Sequence, residues 1–125
     1  MNQKYPTKEK LKQKKEIDLL FQKGKWLTYG DLRVISIDLT KRPQEGFSVG
    51  NLKVGVSVSK RYFKKAVHRN RIKRQLREVY RLNKTLFSEV FGEHSISMIF
   101  WVSSEMPKDF KALGQNFISL CKSKK

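Results

Sequence analysis

Leu11, Ile17, Leu20 and Phe21 recur at helical spacing, while Lys8, Lys10, Lys12, Lys14, Lys15 and Lys23 fill the other faces of the same stretch. The pattern predicts a first helix over residues 7–24, with Gly24 just past its last turn. Leu32–Leu39 is rich in β-branched residues (Val34, Ile35, Ile37) and apolar on both faces, as in a covered strand. Thr40–Asn51, with Pro43 and Gly46, reads as a connecting loop. Lys53–Ser59 then alternates, Val54, Val56 and Val58 pointing one way and Gly55, Ser57 and Ser59 the other. That small-residue face leaves room for a ligand, suits the close approach of a helix, or simply meets solvent; the strand by itself does not choose. A second helix follows over Ala66–Asn83, with Ile72, Leu76, Val79 and Tyr80 in one sector. Leu86–Phe91 forms a further short turn stopped near Gly92, and Ile96–Val102 a third strand. Phe110, Leu113, Phe117, Ile118 and Cys121 predict a terminal helix, with Lys122–Lys125 as a frayed end. The order α-β-β-α-(α)-β-α is that of an α+β fold, a small mixed sheet packed with helices.

Composition adds that 125 residues, 38% of them hydrophobic and 11% aromatic, make one domain (1–125) with a core that needs no staples. Charge changes the picture more. Lys60–Lys84 holds eleven Lys and Arg against the single acid Glu78, and so carries +10 of the formal +17. On the predicted helix, Asn70, Lys73, Arg74, Arg77, Arg81 and Lys84 crowd the sector beside the apolar one. A solvated helix face would interleave acids. This one does not, and its many Arg residues have the planar fork that grips phosphate with two parallel hydrogen bonds. A polyanion is the expected partner. The first 25 residues, with eight Lys and three acids, form a second basic element.

Catalysis by the chain itself is hard to build from these residues. The acids form no D-x-D or E-x-x-H pattern of the kind that gathers Mg²⁺. His68 and His94, the only histidines, fall in different elements, and His68 lies inside the basic run. Gly50 and Gly55 lack the Lys-Ser/Thr that completes a phosphate-binding loop. Cys121 is the only cysteine, which leaves no intramolecular disulfide and no cysteine-based metal site. No apolar run approaches the roughly 20 residues of a membrane span, and no apolar segment follows the basic N-terminus as in a secretory signal. A cytoplasmic chain is expected. Phe21, with Trp26 and Tyr29 just after it, offers stacking surface for single-stranded bases, unless Phe21 is core.

The segment Ala66–Glu78, AVHRNRIKRQLRE, closely resembles the R-N-R motif of the protein component of bacterial ribonuclease P. The lead-in Val54–Lys60, VGVSVSK, resembles the strand before that motif, and the Lys-rich start with Ile17, Phe21 and Gly24 also fits. The likeness spans nearly the whole chain in the same order. It implies a left-handed β-α-β crossover, against the usual right-handed rule. It also implies an accessory subunit of an endoribonuclease that removes the 5′ leader of precursor tRNA, with the catalytic centre and its Mg²⁺ in the RNA subunit and no cofactor in this chain. Lys60, Arg61, Lys65, Arg69, Asn70, Arg71, Lys73, Arg74 and Arg77 would then dock on the catalytic RNA. Ile17, Phe21, Ile35, Gly55, Ser57 and Ser59 would line a cleft for the single-stranded leader.

Two departures from the family pattern stand out. Ile17 and Ile35 occupy positions that are often aromatic, so weaker stacking and more backbone-charge contact are expected. The turn Arg61–Lys65 is one residue longer than in many members and lacks their Gly. A ribosomal protein or RNA chaperone would share the composition, and an independent nuclease would share the charge. The motif with its preceding strand and helix speaks against the first, and the acid inventory against the second.

Overall fold

The computed structural model describes residue 11, residues 13–47, residue 50 and residues 52–124. Its elements are α1 (Lys14–Lys23), β1 (Lys25–Tyr29), β2 (Leu32–Asp38), β3 (Lys53–Val58), α2 (Ala66–Leu82), α3 (Lys84–Phe91), β4 (Ser95–Trp101) and α4 (Phe110–Lys124). Most of the start of the predicted first helix lies outside the described residues. Lys122–Lys124, expected to fray, continue α4 instead.

The element that periodicity missed is β1. It is an edge strand in which only Leu27 is half-buried, so it carries no alternation to detect. Its signal is in the turn. Tyr29 pairs with Leu32, leaving Gly30 and Asp31 as a two-residue hairpin loop. Gly30 has φ +60° and Asp31 does not enter the positive region, the pattern of a type II′ turn with Gly first.

The sheet runs β1-β2-β4-β3. The first two pairings are antiparallel and β3–β4 is parallel, which obliges a long connection between those two strands. Helices α2 and α3 make it. Because β2 is central, it serves both sides, as its two apolar faces predicted. Leu32 and Val34 join Val54, Val58 and Ile99 in the larger core. Above them sit Ile72, Leu76, Val79 and Tyr80, the whole predicted apolar sector of α2. Tyr80 meets Phe87 edge-on at 5.4 Å, and Phe87 stacks with Phe117 of α4 at 5.9 Å. Each such side chain contributes about 1.5–3 kcal/mol by leaving water.

On the opposite face Ile35, Ile37 and Ile96 pack with Leu11, Leu19 and Leu20. Glu16 of α1 accepts from Lys53 Nζ at 2.9 and 3.0 Å and ties the helix to β3. Gly24 is not left-handed, having φ −69° and ψ 160°. A glycine is needed there for closeness: a Cβ would lie 2.5 Å from the Leu20 carbonyl oxygen and 2.7 Å from Ile35 Cγ1. Helix α1 covers only part of this face, and the remainder stays open.

Candidate nucleic-acid interface

The basic helix is held at its start by its own side chain. Arg69 Nη1 donates to the carbonyls of Phe63 at 2.7 Å and Lys64 at 2.8 Å. Phe63 is buried in the larger core, and the Ser59 carbonyl accepts from the N–H groups of Tyr62 and Phe63. Ser59 Oγ accepts from the Arg61 N–H at 3.0 Å. The long turn without glycine is therefore fixed by a plug, a hydroxyl and a guanidinium. It presents Lys60, Arg61 and Lys65 to solvent, and Asn70, Arg71, Arg74 and Arg77 continue the exposed surface along α2. Lys73 and Arg69 are half-buried. All nine residues expected to meet RNA thus lie on one helix and its lead-in turn, and none is buried.

Arg81 departs from the comb. Its Nε donates to Glu78 Oε2 at 3.0 Å and its Nη2 to Glu78 Oε1. That hydrogen bonding holds the Glu78 carboxyl below its ordinary range, against a smaller opposing effect of burial. The one acid of the run neutralises its last arginine.

The residues expected to line a cleft on the other face divide three ways. Phe21 is 48% exposed, Ile17 is half-buried beside it on α1, and Ser57 is half-buried opposite Phe100 in the β3–β4 register. Ile35 is 0% exposed, sealed beneath α1. Gly55 is also buried: a Cβ there would meet Met98 Cε at 3.2 Å and Leu11 Cβ at 3.4 Å. Chain segment and not ligand occupies that space, since the Leu11 N–H donates to the Val54 carbonyl at 3.2 Å. Ser59 lies past the end of β3 and belongs to the basic turn. Ile35 and Gly55 support the open surface from within; neither lines it.

What forms that surface is an aromatic group drawn from three elements. Phe21 of α1 lies 6.1 Å from both Trp26 of β1 and Phe100 of β4, and those two rings are 5.6 Å apart. The Arg33 guanidinium sits 4.1 Å from the Trp26 ring centre, a cation–π contact that also sets a charge beside exposed rings. Positions 17 and 35 carry no aromatic, and β1 and β4 bring Trp26 and Phe100 to this face beside Phe21. Phe100 escaped the sequence because Ile96–Val102 reads as a largely apolar run, and Arg33 because its ring partner lies on the neighbouring strand. The available signal was the two-residue period that places Ile96, Met98 and Phe100 on one side. Tyr29 does not join, since strand alternation sends it to the opposite face from Trp26.

Among the described residues no three His, Cys, Asp or Glu side chains gather where they could hold a metal ion, and no helix is long and apolar enough to cross a membrane. Residues 5–125 match the sequence model of a family described as Ribonuclease P. The chain belongs to the ribonuclease P protein family. It is 37% identical over 107 residues to the ribonuclease P protein component of Porphyromonas gingivalis strain W83, covering 84% of this chain and 74% of that protein. To the component of Petrotoga mobilis it is 31% identical over 111 residues, 89% and 82% of the two chains. The fold is similar to the RNase P protein of Staphylococcus aureus (TM-score 0.71, 19% identity, 94% of this chain and 95% of that one). It is also similar to that of Thermotoga maritima (TM-score 0.69, 24% identity, 92% and 96%). Membership in this ribonuclease P family places the chain in tRNA processing with an RNA partner, and sets aside the ribosomal-protein reading.

Proposed function

We propose that this chain binds the catalytic RNA of ribonuclease P through α2 and its lead-in turn, and the single-stranded 5′ leader of precursor tRNA through the Phe21–Trp26–Phe100 surface. The observation that carries this reading is the separation of two chemistries on opposite sides of one sheet. Exposed cations suit a structured RNA backbone, whereas exposed rings with an adjacent guanidinium suit unpaired bases, each stack being worth about 1–3 kcal/mol. The chain acts by neutralising phosphate and orienting the leader. The catalytic centre and its Mg²⁺ belong to the RNA, and the protein lowers the Mg²⁺ needed to bring two polyanions together.

The test is cleavage of precursor tRNA at low Mg²⁺ by the RNA alone, the protein alone and both together. Leader removal should require the RNA and be strongly enhanced by the protein. Cleavage by rigorously RNA-free protein would overturn the assignment.

A further inference from the structure

At the β1 edge of the sheet lies a pocket of about 370 Å³ that shares only Trp26 with the surfaces described so far. Its charged lining is Lys25, Lys41, Arg42 and Lys124, with Asp38 as the one carboxylate. These cations come from the start of β1, the turn after β2 and the last turn of α4, so no charge run in the sequence announces them. Two are held in place by contacts: Arg42 Nη1 donates to the Lys23 carbonyl at 2.8 Å, and Lys124 Nζ sits 5.5 Å from the centre of the Phe91 ring. Among the described residues none of the four forms an ion pair. Asp38 instead spends one oxygen on the Thr40 N–H at 2.9 Å. Leu27, Val90 and Phe91 add an apolar part to the lining.

Unpaired cations around a concave wall concentrate anions. A volume of this size, part apolar and part cationic, suits a small organic anion better than a bare ion. A nucleotide unit has both parts, a phosphodiester for the rim and a sugar and base for the apolar wall. Continuity says which nucleotide. Trp26 is common to this lining and to the aromatic group. Its ring is on the α1 face and the pocket on the α3–α4 side, so a strand stacked on those rings reaches the pocket by passing over the edge of β1.

We propose that this pocket is a further leader site, taking a phosphodiester and its nucleotide from the part of the 5′ leader distal to the aromatic surface. The proposal rests on the leader reading given above. It makes Lys41 and Lys124 determinants of leader length, not of cleavage chemistry or of assembly with the catalytic RNA.

The experiment compares holoenzyme made with the unsubstituted chain and with Lys41→Ala/Lys124→Ala. The substrates are precursor tRNAs with no leader, a leader just long enough to cross the rings, and one several nucleotides longer. The double variant should lose on the order of tenfold in affinity for the long-leader substrate alone. Its salt dependence should flatten by about one unit, given a slope near 0.7 per phosphate contact on a single strand. The short-leader affinity and the affinity for catalytic RNA should stay unchanged. An undiminished preference for the long leader overturns the pocket, as does an equal loss on both leaders or a loss confined to the catalytic RNA. If unsubstituted holoenzyme binds all three substrates alike, the leader reading itself has failed, and the pocket falls with it.

Discussion

Arg69 reaches back from the first turn of α2 to bond the carbonyls of Phe63 and Lys64. An arginine in the middle of the R-N-R segment is therefore a clamp on the turn that leads into it. Arg74, one turn further along and exposed, has no such duty. Arg69→Ala should lower stability by about 0.5–1.5 kcal/mol, the net range for intramolecular hydrogen bonds, since the two carbonyls it bonds are not fully shielded from water. Arg74→Ala should stay within about 0.5 kcal/mol. Both should weaken catalytic-RNA binding. Thermal melts beside RNA titrations separate the two roles, and identical melting of the two variants would refute the clamp.

The aromatic group makes a separate demand. Trp26→Ala and Phe100→Ala should each weaken binding of leader-bearing precursor tRNA by about 1–3 kcal/mol, roughly five- to 150-fold. Affinity for the catalytic RNA should hardly move. Ile35→Ala should act differently, costing about 2–5 kcal/mol of stability as a large-to-small change in a core. Titrations with and without a leader, paired with denaturation curves, check all three. Loss of leader discrimination in Ile35→Ala at full stability would put Ile35 back on the surface.

Glu78 is the only acid of the basic run and holds Arg81. Glu78→Gln should change stability only slightly, because water and salt screen an ion pair at the surface. It should release one more guanidinium, raising affinity for the catalytic RNA and steepening its salt dependence. The sign with pH follows from the depressed carboxyl. The pair's stabilisation is present above the unfolded carboxyl value and is lost as pH falls through the lower folded one. Melting curves of the two proteins should therefore differ most near neutral pH and converge in acid. A variant that binds RNA more weakly would show that Glu78 orients Arg81 for contact and does not withhold it.

Gly24→Ala tests the seating of α1. Its Cβ would press on the Leu20 carbonyl oxygen and on Ile35, both fixed, so about 1–3 kcal/mol of stability should be lost to overpacking. The displaced helix carries Phe21, so leader affinity should fall with it. Denaturation and leader titration on one sample check the coupling. Full stability in the alanine variant would contradict the close approach.

Helix α2 was legible because burial and charge share one period there: Ile72, Leu76, Val79 and Tyr80 point inward, and their neighbours cannot. The β1 edge of the sheet was not, since an exposed strand has no burial pattern and β1 is announced only by Gly30-Asp31. Nor does a sequence say which part of an apolar face a helix will cover. Ile35 and Phe100 both lie on the α1 side of adjacent strands, yet Ile35 is sealed under α1 while Phe100 stays partly open beside Phe21. Arg33 and the cations of the edge pocket depend on cross-strand and turn-to-helix neighbours, which only the folded chain brings together.

Helix α4 sets the order in which these surfaces can exist during synthesis. Leu113, Phe117 and Leu120 fill the larger core beneath α2 and α3. Asn116 donates to the Tyr29 carbonyl at 2.8 Å and accepts from the Asp31 N–H at 3.3 Å, across 87 and 85 residues of chain. A ribosome delivers residues in sequence, and long-range contacts must wait for the later partner. While residues 110–124 remain in the exit tunnel, the β1–β2 hairpin lacks its distant tether and the basic helix lacks part of its floor. The nascent chain already carries most of its positive charge at that stage, while the helix that bears it still lacks its α4 packing. On the function proposed above, a complete RNA-binding surface therefore comes into being only when α4 has packed.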